Sequence, residues 1–117
     1  MVVKNKKQII HKPFKIPIDQ PIADFVMGDM LTVIQTVSRE VYCLGTNYNG
    51  QLGISEKLDF STISPVKVNI PTEVDFVLSG LNHVIALNTK RNVIYAWGSN
   101  KMGQINPYLD QDKIMEP

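Results

Sequence analysis

The sequence predicts an all-β chain of two four-stranded antiparallel units, and three observations predict it. Short apolar stretches rich in β-branched and aromatic residues alternate with polar, glycine-bearing turns. No segment carries the i, i+3, i+4, i+7 apolar stripe of an amphipathic helix. Blocks of sequence also return at a nearly fixed step. Pro13-Phe14-Lys15-Ile16 comes back as Pro65-Val66-Lys67-Val68, a step of 65 − 13 = 52, and Gly28 comes back as Gly80.

Taken in order, the first unit offers strands over residues 13–18, 23–27, 31–37 and 41–44. The second offers them over 65–70, 74–78, 83–88 and 93–97. Asp24-Phe25-Val26 returns as Asp75-Phe76-Val77 at a step of 51. Val41-Tyr42-Cys43-Leu44-Gly45-Thr46-Asn47 returns as Ile94-Tyr95-Ala96-Trp97-Gly98-Ser99-Asn100 at a step of 53, and Gly50-Gln51-Leu52 returns as Gly103-Gln104-Ile105. The extra residue falls in the turn around Lys90-Arg91-Asn92, set against Ser38-Arg39-Glu40, where an insertion is tolerated. The expected organisation is a basic arm over 1–12, one repeat over 13–64 and a second over 65–117. Its last residue, Pro117, stands in phase with Pro65. Four-stranded repeats of about 40–50 residues have the period of β-propeller blades. Two blades leave open edges, so the chain is expected to be incomplete on its own, part of a larger ring completed by further blades from more sequence or from another chain.

Composition narrows the function classes. The chain has 117 residues, 44% hydrophobic and 20% charged, with a net charge of +1. That is an ordinary globular composition, with no field to draw nucleic acid, chromatin or an anionic membrane. One cysteine, Cys43, excludes an internal disulfide and suits a reducing compartment. Residues 1–10 build no apolar leader, and no apolar run reaches the ~20 residues of a membrane span. An intracellular protein of cytoplasm or nucleus is expected. Lys4, Lys6 and Lys7 are read as a solvated tail.

The segments Tyr42-Cys43-Leu44-Gly45-Thr46-Asn47-Tyr48-Asn49-Gly50-Gln51-Leu52-Gly53 and Ile94-Tyr95-Ala96-Trp97-Gly98-Ser99-Asn100-Lys101-Met102-Gly103-Gln104 resemble the repeat signature of the regulator-of-chromosome-condensation family. Ser79-Gly80-Leu81-Asn82-His83 resembles the segment that opens the inner strands of that family. The resemblance implies blades of a normally seven-bladed β-propeller. It also implies structural roles for Gly45, Asn47, Gly50, Gln51, Gly80, His83, Trp97, Gly98, Asn100, Gly103 and Gln104. In that family the implied roles are guanine-nucleotide exchange on a Ran-type small GTPase, chromatin binding, or protein interaction. The chain departs from the pattern at Leu31, which replaces the histidine matched by His83, and at Asn106-Pro107, which replaces Gly53-Ile54.

No set of residues in the sequence makes a catalytic, cofactor or metal site. His83 reads as a hydrogen-bonded strand-end histidine. His11, His83 and Cys43 supply too few ligands for zinc. Asp110-Gln111-Asp112 lacks the glycine and distal glutamate of a calcium loop. Ser55, Ser61 and Ser64 lack the spacing of a nucleophile elbow. The reading is therefore a non-catalytic protein–protein interaction module. Exchange on a Ran-type GTPase is the alternative, and a chromatin-associated module the second alternative.

Overall fold

A computed structural model describes residues 12–55 and 61–117. Lys4, Lys6, Lys7 and His11 lie outside the described residues, as does the 56–60 part of the connection between Ser55 and Ser64. The strands are β1 (Ile22–Gly28), β2 (Leu31–Thr36), β3 (Val41–Thr46), β4 (Ser61–Lys67), β5 (Phe76–Ser79), β6 (His83–Asn88), β7 (Val93–Ser99) and β8 (Lys113–Ile114). They form two four-stranded antiparallel meanders, β1-β2-β3-β4 and β5-β6-β7-β8. The expected all-β pair of blades is what the chain adopts. Among the described residues no helix is long and apolar enough to cross a membrane.

Each hairpin forms where the sequence supplies alternating apolar residues and a turn. In β6, buried Val84, Ala86 and Asn88 alternate with half-buried His83, Ile85 and Leu87, the period of a pleated strand. Arg39 and Asn92 take left-handed backbone angles, φ 67° and 54°, in the β2–β3 and β6–β7 turns. The extra residue of the second repeat lies in this turn, as the spacing predicts. Gln35 pairs with Val41, 41 − 35 = 6 positions on, whereas Leu87 pairs with Ile94, 94 − 87 = 7 positions on.

Three strand-level expectations are corrected. Residues 13–18 form no strand. They run beside the first sheet, and Gln20 Nε2 donates to the Tyr42 hydroxyl at 3.0 Å. Of the strand expected over 65–70 only residues 65–67 form, as the end of β4, which closes the first sheet by pairing Val66 with Cys43 and Lys67 with Tyr42. The boundary at 64/65 therefore falls inside a strand. The Asp-Phe-Val match is one residue out of register. Val26 faces Val33, while Val77 faces Ala86, so the counterpart of Val26 at the 52-residue step is Leu78. A slip of one residue exchanges the two faces of a strand, so the correction reassigns every side chain of β5.

One core joins the sheets. Leu31, Val33, Val41 and Cys43 on the leading face of the first sheet pack with Val77, Val84, Ala86 and Trp97 on the trailing face of the second. Trp97 is fully buried, and its indole Nε1 donates to the Gln51 carbonyl at 2.9 Å. Gly53 makes room for the ring, since a Cβ there would stand 2.7 Å from Trp97 Nε1. Burial pushes the Cys43 thiol well above its ordinary pKa, so it is a packing residue and not a nucleophile. Truncating Trp97 leaves both a cavity and an unpaired carbonyl. Trp97→Ala is expected to cost about 3–5 kcal/mol in urea unfolding followed by far-UV circular dichroism. Trp97→Leu, which installs the residue type of its counterpart Leu44, is expected to cost less.

Candidate protein-binding surface

The repeat-signature residues gather at one end of the two sheets: Asn47, Gly50 and Gln51 in the loop after β3, Asn100, Gly103 and Gln104 in the loop after β7, Gly45, Trp97 and Gly98 in the last turns of those strands, and Gly80 and His83 at the β5–β6 turn. Asn47 is buried at the head of the first loop. Its carbonyl accepts from Gly50 N at 3.0 Å, and its Oδ1 accepts from Leu52 N at 3.1 Å. Gln51 Oε1 accepts from Asn49 N at 2.8 Å, and Gln51 Nε2 donates to Thr46 Oγ1 at 3.0 Å. The second loop repeats this pattern. Asn100 O accepts from Gly103 N at 2.9 Å, Asn100 Oδ1 from Ile105 N at 3.1 Å, and Gln104 Oε1 from Met102 N at 2.9 Å. An amide carries both a donor and acceptor at the end of a short arm, which suits it to a turn whose backbone groups have no ladder partner. Asn100 Nδ2 also donates to Asn106 O and Gln111 O, tying in the far side of its loop.

Gly45 and Gly98 serve a close approach between neighbouring strands. Their φ angles are +126° and +108°. A Cβ on either would run into a carbonyl of the adjacent hairpin, Met30 O in the first sheet and Asn82 O in the second. Those same carbonyls accept from Thr46 N at 2.9 Å and Ser99 N at 2.8 Å. His83 opens β6 with its ring against Gly80, where a Cβ would collide with the imidazole. In the main chain of this turn, Gly80 N donates to His83 O at 2.9 Å. The signature residues thus come together as two copies of one loop scaffold, with His83 and Gly80 at the neighbouring hairpin. They do not converge on a common cleft. Among the described residues no cluster of three His, Cys, Asp or Glu is placed to hold a metal ion.

The two ends of the sheets differ in chemistry. At the end bearing the β2–β3 and β6–β7 turns, Arg39 pairs with Glu73 at 3.4 Å and Lys67 with Glu40. The Lys67 ammonium, aided by Gln20, holds the Glu40 carboxyl below its usual range, and Glu40 in turn raises Lys67. The Thr89 hydroxyl lowers Asp75 in the same way. These groups are solvated, so such pairs contribute little to stability. The opposite end displays large apolar side chains on its loops: Met30, Tyr48, Leu81, Met102, Tyr108 and Leu109 are all exposed, Tyr108 to 94%. Asp29 N donates to Leu81 O at 2.7 Å, which ties the two β-hairpin tips together there. Sequence reasoning passed over these residues because no motif marks them. The available signal was apolar character at loop positions, where solvation favours polar residues.

No family model matches the chain. Over 78 residues it is 36% identical to the X-linked retinitis pigmentosa GTPase regulator of the dog, Canis lupus familiaris, covering 67% of this chain and 8% of that protein. Over 88 residues it is 34% identical to the regulator of chromosome condensation of the mouse, Mus musculus, covering 75% of this chain and 21% of that protein. The crystal structure of Prp20p from Saccharomyces cerevisiae, reported with its binding properties to Gsp1p and histones, superposes with a TM-score of 0.77. That match covers 88% of this chain and 26% of Prp20p at 18% identity, a likeness of fold. The chain therefore spans a small part of the length of the proteins it matches.

Because the signature residues build the loops, replacing one is expected to act on stability. Gly98→Ala forces a Cβ into Asn82 O at a positive φ, and a loss of about 1–3 kcal/mol is expected from thermal or urea unfolding. Gln104→Ala removes only an exposed turn bond, and is expected to cost under about 1 kcal/mol in the same measurement.

Proposed function

From the premise that the chain is built of regulator-of-chromosome-condensation repeats, we propose that it is a protein–protein interaction module that performs no bond chemistry and binds through its loop end. One observation carries this reading. The signature residues are committed to turn geometry, while the loops they hold present Leu81, Met102 and Tyr108 to solvent. Rigid scaffolds commonly bind through the loops they position. Aromatic residues and methionine are enriched at the desolvated centres of interfaces, where a few anchors carry most of the affinity. With a net charge of +1, affinity rests on shape and apolar contact more than on steering.

A finer reading makes the chain part of an exchange factor for a Ran-type GTPase. The 34% identity to the mouse regulator and the Prp20p study with Gsp1p support it. Exchange of that kind needs no catalytic side chain, only tighter binding of the nucleotide-free GTPase than of the loaded one. Partners of the chain are proteins on either reading.

The test is affinity capture with the wild-type chain and with a Met102→Asp/Tyr108→Asp variant, beside nucleotide release from a purified Ran-type GTPase. Wild-type chain is expected to capture partners that the variant loses, with the unfolding midpoint unchanged and the release rate unaltered. Equal capture by both would remove the loop end as the binding surface. Faster release at substoichiometric chain would replace the simple interaction module with the exchange factor.

A further inference from the structure

Among the serines and threonines of the sequence Ser64 alone precedes a proline, and a lysine stands two positions beyond that proline: Ser64-Pro65-Val66-Lys67. These residues lie in β4, the strand at one end of the first sheet. The ladder is interrupted there. Cys43 pairs with Val66 and Gly45 with Thr62, so Ile63, Ser64 and Pro65 stand opposite Leu44 alone. The backbone is held locally instead. Ser64 N donates to Thr62 Oγ1 at 3.0 Å, and Thr62 Oγ1 donates to Ser64 O at 2.9 Å. Ser64 is half-buried, and drawing it outward costs none of the β3–β4 register pairs.

We propose that Ser64 is a phosphorylation site for a proline-directed protein kinase, one that takes a proline next to the serine and a basic side chain two positions further on. In the transfer the Ser64 hydroxyl oxygen forms a bond to the γ-phosphorus of ATP, and the bond from that phosphorus to the β–γ bridging oxygen breaks. ADP leaves, and the hydroxyl proton passes to the catalytic aspartate of the kinase.

Each residue of the segment meets a requirement of such an enzyme. Pro65 brings no N–H, so an apolar kinase pocket that closes on it leaves no donor unpaired. A proline also keeps the residue before it out of the helical region, and β4 already holds Ser64 in an extended segment. An extended backbone lets successive side chains reach separate pockets. Lys67 has a side chain 58% exposed, and its partner is Glu40. That ion pair is solvated and worth little, so an acidic group of the kinase can take the place of Glu40.

The second sheet shows that this position accepts an anion. Thr46 pairs with Ser61 and Gly45 with Thr62, as Ser99 pairs with Lys113 and Gly98 with Ile114. The step from β4 to β8 is 113 − 61 = 52, which makes Glu116 the counterpart of Ser64 and Pro117 that of Pro65. Glu116 is an exposed carboxylate that accepts from Ser55 Oγ. A phosphoserine at position 64 puts an acidic group where the second repeat already carries one. It adds about −1.5 to −2 charges, which turns a chain of net charge +1 net negative.

The test is incubation of the full chain with ATP and a purified cyclin-dependent kinase, with phosphate counted by intact mass and placed by fragmentation. Wild type is expected to gain one phosphoryl group, on Ser64, with its far-UV circular dichroism unchanged. Ser64→Ala is expected to gain none. Pro65→Ala keeps the hydroxyl but carries an N–H into the kinase pocket, and its initial rate is expected to fall about 10- to 100-fold. Lys67→Ala is expected to lose about two- to fivefold, the effect of one exposed ion pair. Ser64→Glu, which copies the residue type of Glu116, is expected to keep the wild-type urea midpoint. Three results would each overturn the proposal: wild type that takes up no phosphate; equal uptake by Ser64→Ala; or an undiminished rate in a Pro65→Ala chain whose circular dichroism is unchanged.

Discussion

A four-stranded antiparallel sheet whose two faces are both apolar covers neither of them alone, and its stability depends on what packs against it. In this chain the constraint is met at one junction. The leading face of the first sheet and the trailing face of the second enclose a single core, and Trp97 reaches across to hydrogen-bond Gln51 in the loop of the first sheet. That contact places one loop scaffold against the other sheet, so the order of the loop end rests on the joint between blades. Cys43, Val41 and Val33 are buried for the same reason. Each faces the neighbouring sheet, and each would be at a surface without it.

Above that joint, the turns work as repeated units. The side chains of Asn47 and Gln51, and of Asn100 and Gln104, replace the strand partners that the backbone lacks once it leaves β3 and β7. Gly45 and Gly98 let the adjacent hairpin carbonyl come in. Once these positions are assigned to geometry, differences among such loops fall on residues the scaffold does not use. Met102 and Tyr108 are of that kind, and this is where a binding preference can differ between proteins of one fold.

Much of this was legible in the sequence. Glycine, asparagine and glutamine at fixed offsets have local meanings, so the turns and the extra residue near Asn92 read correctly without a partner strand in view. The strand that closes each sheet did not. A period reports a step but not a phase, and nothing local says whether Pro65-Val66-Lys67 ends one sheet or begins the next. The pairing of Val66 with Cys43 decides it. The Asp-Phe-Val match misled for a related reason. In so short a stretch the matched letters outweigh register, which is set by the cross-strand neighbours, Val33 for Val26 and Ala86 for Val77. The exposed apolar loop residues left a signal only in their position, since no spacing rule connects them.

Trp97 is the single tryptophan of the chain, so its emission reports the joint, while far-UV circular dichroism reports all the strands. If the joint holds the two sheets as one cooperative unit, the native emission is blue-shifted and both signals change together through urea, with one midpoint. A solvent-like native emission, or one that shifts at lower urea than the circular dichroism, would mean that the sheets stand without the Trp97 contact.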